Sequence, residues 1–161
     1  MPPSIDTEED SRKALLEELS SLPLAITQAA AYIGHNDVSI SSYLDQLSEQ
    51  KRQTTNSSYG QSEQRHAADR AVVMTTLISL QGVFRENSVA ADCLFFMACV
   101  DRKDILLDLL PTATSSPTEQ TVQLLSDYAV LIRRPASSAV ELHRLVRLTI
   151  QTYLRERGWF H

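Results

Sequence analysis

Apolar residues recur at spacings of three and four along most of this chain, a pattern that predicts helices. Leu15, Leu16 and Leu19 fall on one side of a first amphipathic segment. Thr7-Glu8-Glu9-Asp10 ahead of it has the capping-box form, in which a threonine oxygen and an acid three residues on satisfy orphan amides. Leu22-Pro23 starts a second helix, with Pro23 in the first turn, where its missing N–H costs nothing. The body from Leu24 to Ile33 is apolar nearly all round and is expected to be buried, with Gly34 and Asn36 as the stop signal. A third helix is predicted from about Ser39 to Gln50, carrying Ile40, Tyr43, Leu44 and Leu47.

Residues 51–68 interrupt the pattern. This stretch is polar and poor in apolar residues, so it reads as a flexible linker with His66 exposed. It leaves residues 1–50 as a small helical subdomain and residues 69–161 as a second domain. A helix from about Asp69 to Glu86 opens that domain, with Val73, Leu77, Leu80 and Phe84 inward. Ser88 is placed to cap the next helix, whose Val89, Leu94, Phe95, Phe96 and Met97 read as core. A short helix, Asp104 to Leu110, ends at Pro111, and Thr118 caps another through Asp127 with Val122, Leu124 and Leu125 inward. The period then changes. Val130 to Arg133 and Ala139 to Leu142 read as two short strands around the turn at residues 134–138. A last helix from His143 to about Arg157 buries Val146, Ile150, Tyr153 and Leu154. The expected fold is mainly α: a small helical bundle, then a winged-helix domain with a two-stranded β-ribbon.

Composition supports that class: 161 residues, 43% hydrophobic, with only 4 Gly and 6 Pro. No apolar run approaches the ~20 residues that span a bilayer. The N-terminus lacks the basic flank and apolar stretch of a signal peptide, so a cytoplasmic location is expected. Cys93 and Cys99 fall on one predicted helix, about 9 Å apart along its axis, too far for a disulfide. Both are expected to be buried small hydrophobes. The net charge of −5 is unevenly placed. Residues 1–129 hold 9 Lys/Arg against 18 Asp/Glu, a net −9, whereas residues 130–161 hold 6 Arg against 2 Glu, a net +4. The acidic bulk argues against non-specific nucleic-acid affinity, which depends on neutralising phosphates.

The sequence contains no glycine-rich phosphate loop, no G-x-S-x-G, no H-E-x-x-H and no nucleophile with an evident base. Asp101, Asp104 and Asp108 read as a solvated face rather than a metal site. The chain is therefore not expected to be an enzyme, nor to hold a metal or a cofactor by itself.

Two segments stand out in combination: Ser21-Leu22-Pro23-Leu24-Ala25, a proline-led helix start, and Leu142-His143-Arg144-Leu145-Val146, where a histidine opens a helix directly after a strand. With these, and with Leu125-Ser126-Asp127-Tyr128 and Leu131-Ile132-Arg133-Arg134-Pro135 between them, the chain resembles the NB-ARC family of STAND signalling ATPases from about Leu15 to Leu154. The likeness is strongest to fungal NLR-like members, where Phe96-Met97-Ala98-Cys99-Val100-Asp101 also has a familiar form. The first segment resembles the family's GLPL motif, with Ser21 in place of its glycine. The second takes the place of its MHD motif, with Leu142 and Arg144 in place of Met and Asp. The resemblance implies that Pro23 packs near the adenine of bound ADP and that His143 contacts its β-phosphate. It also implies a partner P-loop NTPase domain, in cis or in trans, and homo-oligomerisation of the complete protein, with ADP or ATP bound by the complete module. A helix N-terminus gives the His143 assignment a physical basis, because its free amides and positive dipole end favour a phosphate. The plainer readings stand beside these: a first-turn proline needs no ligand, and a histidine at a helix start often serves as a cap. The rival function is a winged-helix nucleic-acid binder that uses Arg133, Arg134, Arg144, Arg147, Arg155 and Arg157. Its presumed recognition helix, Thr118 to Asp127, has no Lys or Arg with which to read bases.

Overall fold

A computed structural model describes residues 5–54, 67–100, 103–107, 110, 118–134 and 136–158. Among these residues there are seven helices and one three-stranded antiparallel sheet. The chain divides into two compact units, Met1–Ile78 and Ser79–His161, and the division falls inside the fourth helix.

The first unit holds α1 (Ile5–Glu18), α2 (Pro23–Asn36), α3 (Ile40–Thr54) and residues 67–78 of α4 (Ala67–Glu86). Thr7-Glu8-Glu9-Asp10 does not precede α1 but lies within it, and the Ser11 hydroxyl donates back to the Thr7 carbonyl. α2 starts at Pro23 as expected but buries one face, Ala25, Gln28, Ala29 and Tyr32, rather than its whole circumference. That face has the i, i+3, i+4, i+7 spacing of an ordinary amphipathic helix. Gly34 does not stop it; Asp37, in the left-handed region at φ 51°, does. α3 runs into the span expected to be linker as far as Thr54, which is buried and donates to the Gln50 carbonyl. α4 likewise begins at Ala67. The rest of the expected linker, residues 55–66 with His66, lies outside the described residues.

Tyr43 and Tyr32 pack with ring centroids 5.4 Å apart. Tyr43 is fully buried, and burial holds its phenol well above the usual tyrosine range. Its hydroxyl has no hydrogen-bond partner among the described residues. A buried, unpaired hydroxyl costs about 1–3 kcal/mol. Tyr43→Phe should therefore raise stability by about 1 kcal/mol in urea denaturation, and a loss of that size would reveal a bond made by the hydroxyl.

The second unit holds the end of α4, α5 (Ser88–Cys99), β1 (Ile105–Leu106), α6 (Thr118–Asp127), β2 (Ile132–Arg134), β3 (Ala139–Glu141) and α7 (Arg144–Glu156). Asn87, not Ser88, caps α5; its side chain accepts from the amides of Val89 and Ala90. The sheet order is β1-β3-β2, so the expected two-stranded ribbon has a third strand. β1 forms where the sequence suggested a helix. Asp104, at φ 51°, turns the backbone out of a helical path, and Ile105 then pairs with Val140. Ile105 and Val140 are cross-strand partners on one face, and both are buried. Leu106 and Ile132 share the other face and are exposed. The buried core of this unit includes Leu94, Met97, Val122, Leu125, Tyr128, Val146, Ile150 and Leu154. Cys93 belongs to it, and burial pushes its thiol up to about 11. Cys99, expected to be buried, is exposed at the last turn of α5. No described helix is long and apolar enough to cross a membrane.

Candidate functional site

Pro23 is the first residue of α2 and is exposed. The approach to it is unusual. Ser20 and Ser21 both have φ 52°, the left-handed region that glycine favours. Ser20 N–H donates to the Glu17 carbonyl and Ser21 N–H to the Leu16 carbonyl, the paired bonds of a Schellman ending for α1. Ser21 thus adopts a backbone that glycine favours, at a cost of about 1 kcal/mol. Leu22 is the N-cap of α2 without a side-chain cap bond, and Thr27 returns a hydroxyl bond to the Pro23 carbonyl.

His143 sits between β3 and α7. Leu142 before it is buried; His143 and Arg144 are exposed. His143 is the N-cap of α7, in extended conformation, and its Nδ1 accepts the Leu145 amide at 3.2 Å. The Arg147 amide closes the first helical bond onto the His143 carbonyl. An Nδ1 that accepts is unprotonated, so the neutral ring carries its proton on Nε2. The imidazole therefore satisfies one of the four orphan amides of α7, and its proton sits on the far nitrogen. Pro23 belongs to the first unit and His143 to the second.

Four of the six arginines in the basic tail are engaged within the second unit. Arg133 makes a two-pronged pair with Glu119 of α6, at 2.7 and 3.0 Å, and this bond holds the Glu119 carboxyl below its ordinary range. Arg134 pairs with Glu141 across the hairpin at 2.9 Å, with Asp104 at 4.0 Å. Arg157 lies 4.3 Å over the Tyr153 ring. Arg147 donates to the carbonyls of Ala98 and Val100 at the end of α5. Sequence reasoning treated all six as available to phosphates, because charge is visible in a sequence and its partner is not. Asp101 and Asp108 of the acidic cluster lie outside the described residues, which contain no group of three metal-ligating side chains.

No family model matches the chain, and no solved structure matches it. Over 156 residues, 93% of its length, it is 35% identical to a protein of the fungus Hyaloscypha variabilis described as a nucleotide-binding leucine-rich repeat (NLR)-like protein. The chain spans only 16% of that relative. Along nearly its whole length, then, this chain is similar to one segment of a fungal NLR-like protein.

Proposed function

We propose that the chain is a non-catalytic regulatory segment of an NB-ARC-type signalling protein. In this reading residues 69–161 form a winged-helix domain, and the segment packs against a P-loop NTPase domain and reads whether ADP is bound there. The observation that carries it is His143, placed by a buried strand end at the N-terminus of α7 with its ring already oriented by the Leu145 amide. The similarity to an NLR-like protein supports it. So does the order α5-β1-α6-β2-β3, in which an antiparallel β2–β3 pair follows a helix as a wing does. Pro23, at the start of α2, is the adenine-side contact in this reading. The P-loop domain supplies most of the nucleotide affinity and any hydrolysis, the complete protein homo-oligomerises on activation, and it works in the cytoplasm. The internal pairing of the arginines and the absence of Lys or Arg from α6 weigh against the nucleic-acid alternative.

The histidine's two roles separate by mutation. Asparagine caps a helix well but lacks the distal donor, whereas alanine lacks both. With this chain joined to a P-loop domain, His143→Asn should keep thermal stability yet speed ADP release by roughly tenfold or more, the equivalent of one lost charge-assisted bond of ~1.5–3 kcal/mol. His143→Ala should speed release equally and also lose about 1 kcal/mol of stability. If both variants release ADP at the unmodified rate, His143 is a cap and nothing more. Alone, the chain should bind ADP no better than millimolar, since one such bond falls far short of the ~8 kcal/mol of micromolar affinity.

A further inference from the structure

Gln28 is fully buried, with 0% exposure, on the inward face of α2. Its neighbours on that face, Ala25 and Ala29, are small. Facing it from α4 are two consecutive threonines, Thr75 and Thr76, also at 0% exposure. Thr75 Oγ1 lies 2.6 Å from Gln28 Oε1, and Thr76 Oγ1 lies 3.2 Å from the same oxygen. Both lone pairs of one amide oxygen are thereby used. The Thr75 hydroxyl has backbone alternatives, the carbonyls of Ala71 and Val72 at 3.1 Å, but its shortest contact is the one to Gln28.

We infer that Gln28, Thr75 and Thr76 form a polar pin that fixes the rotation and register of α2 against α4. Three considerations carry this. Alanine faces are smooth, and apolar contact alone discriminates poorly between neighbouring registers of two helices. A hydrogen bond to a single oxygen is directional, and in a low-dielectric interior a displaced partner becomes a buried unpaired group. A turn of α2 about its axis would strand the Gln28 oxygen and take the Thr76 hydroxyl from its acceptor, while the Thr75 hydroxyl would fall back on the carbonyls of Ala71 and Val72. The pin thus acts by penalising the alternatives to the observed packing. It is independent of the nucleotide reading, since it would set the packing of α2 whether or not Pro23 meets a ligand.

Valine and serine separate the hydroxyl from the shape of threonine. Thr75→Val/Thr76→Val keeps the volume and removes both donors; Thr75→Ser/Thr76→Ser keeps the donors and removes two methyls. Gln28→Met keeps the length of the side chain and removes the amide. Amide NMR spectra of the full chain should show one set of resonances for the unmodified protein and for the serine variant. The valine variant and Gln28→Met should show a second set from residues of α2, at up to roughly a tenth of the intensity, as for a state a few kcal/mol or less above the ground state. Single, sharp resonances in the valine and methionine variants would overturn the proposal. So would heterogeneity of equal extent in the serine variant, which would assign the effect to packing rather than to the hydroxyls.

Discussion

Replacing Gly82 with alanine should destabilise the second unit by about 3 kcal/mol, although alanine is the better helix former by about 1 kcal/mol. Gly82 is buried in α4, and a Cβ built there would lie 2.6 Å from Cε1, 2.7 Å from Oη and 2.8 Å from Cζ of Tyr128. No real Cβ makes such contacts, so the ring would have to move. It has little freedom to do so: Tyr128 is fully buried just beyond α6, and its hydroxyl donates to the Glu86 carboxylate one turn further along α4. Displacing the ring adds the cost of overpacking, typically 1–3 kcal/mol, to that of weakening a hydrogen bond to a charged acceptor. Urea denaturation should show a lower midpoint with an unchanged slope. The decisive comparison is the same substitution in a Tyr128→Leu background, where the ring is gone. There Gly82→Ala should be neutral or mildly stabilising, so the effect reverses sign. If alanine stabilises the chain with Tyr128 present, the ring is free to swing aside and the close approach does not constrain the fold.

That contact explains the tyrosine of Leu125-Ser126-Asp127-Tyr128 physically, yet it could not be read from the sequence. A glycine inside a helical pattern signals a close approach of something, without saying what. The same division runs through the fold. The period of the apolar residues placed α6 and located α2, α7 and the β2–β3 hairpin to within about two residues, because each buries a face long enough to repeat. The caps were less legible. Asn87 rather than Ser88, and Asp37 rather than Gly34, hold the helix ends, and neighbouring polar residues compete for such positions on small differences in φ and ψ. β1 was read as helix because two residues cannot display a period; its partner β3 lies over thirty residues away and alone defines it as a strand.

The candidate site was legible in position and not in chemistry. A histidine immediately after an apolar strand and before an amphipathic helix marks the helix start, and His143 is there. What the sequence could not show is that Nδ1 is used up as a cap acceptor, which leaves the ring one donor, on Nε2, rather than a choice of two. Nor could the sequence show that Ser21 lies at φ 52°, in the left-handed region that glycine favours. The partners of the basic tail were not legible, since pairs such as Arg133 with Glu119 join residues that only the folded sheet and α6 bring together.

Arg147→Met should cost the second unit about 2 kcal/mol, and the loss should depend on its neighbour Gln151. The last carbonyls of α5 have no partner within the helix and carry the negative end of its dipole. Arg147 answers both needs: Nε donates to the Ala98 carbonyl at 3.2 Å and Nη2 to the Val100 carbonyl at 2.8 Å. Gln151, one turn later on α7, donates to the same Ala98 carbonyl at 2.8 Å. Methionine preserves the packing of the arginine stem and removes only the planar head, so the effect reports the hydrogen bonds. Lysine should recover less than half of the loss, because an ammonium cannot span two carbonyls as a guanidinium does. The shared acceptor makes the two α7 residues interdependent. Gln151→Met alone leaves Ala98 held by Arg147 and should cost less than about 1 kcal/mol, but after Arg147 is gone the same change strands a carbonyl at the α5–α7 contact. The double variant should therefore lose more than the two single losses combined, by roughly 1 kcal/mol in a denaturation cycle. Additive losses would mean that water replaces both side chains at the end of α5, and that apolar packing alone fixes α7 and the first turn that carries His143.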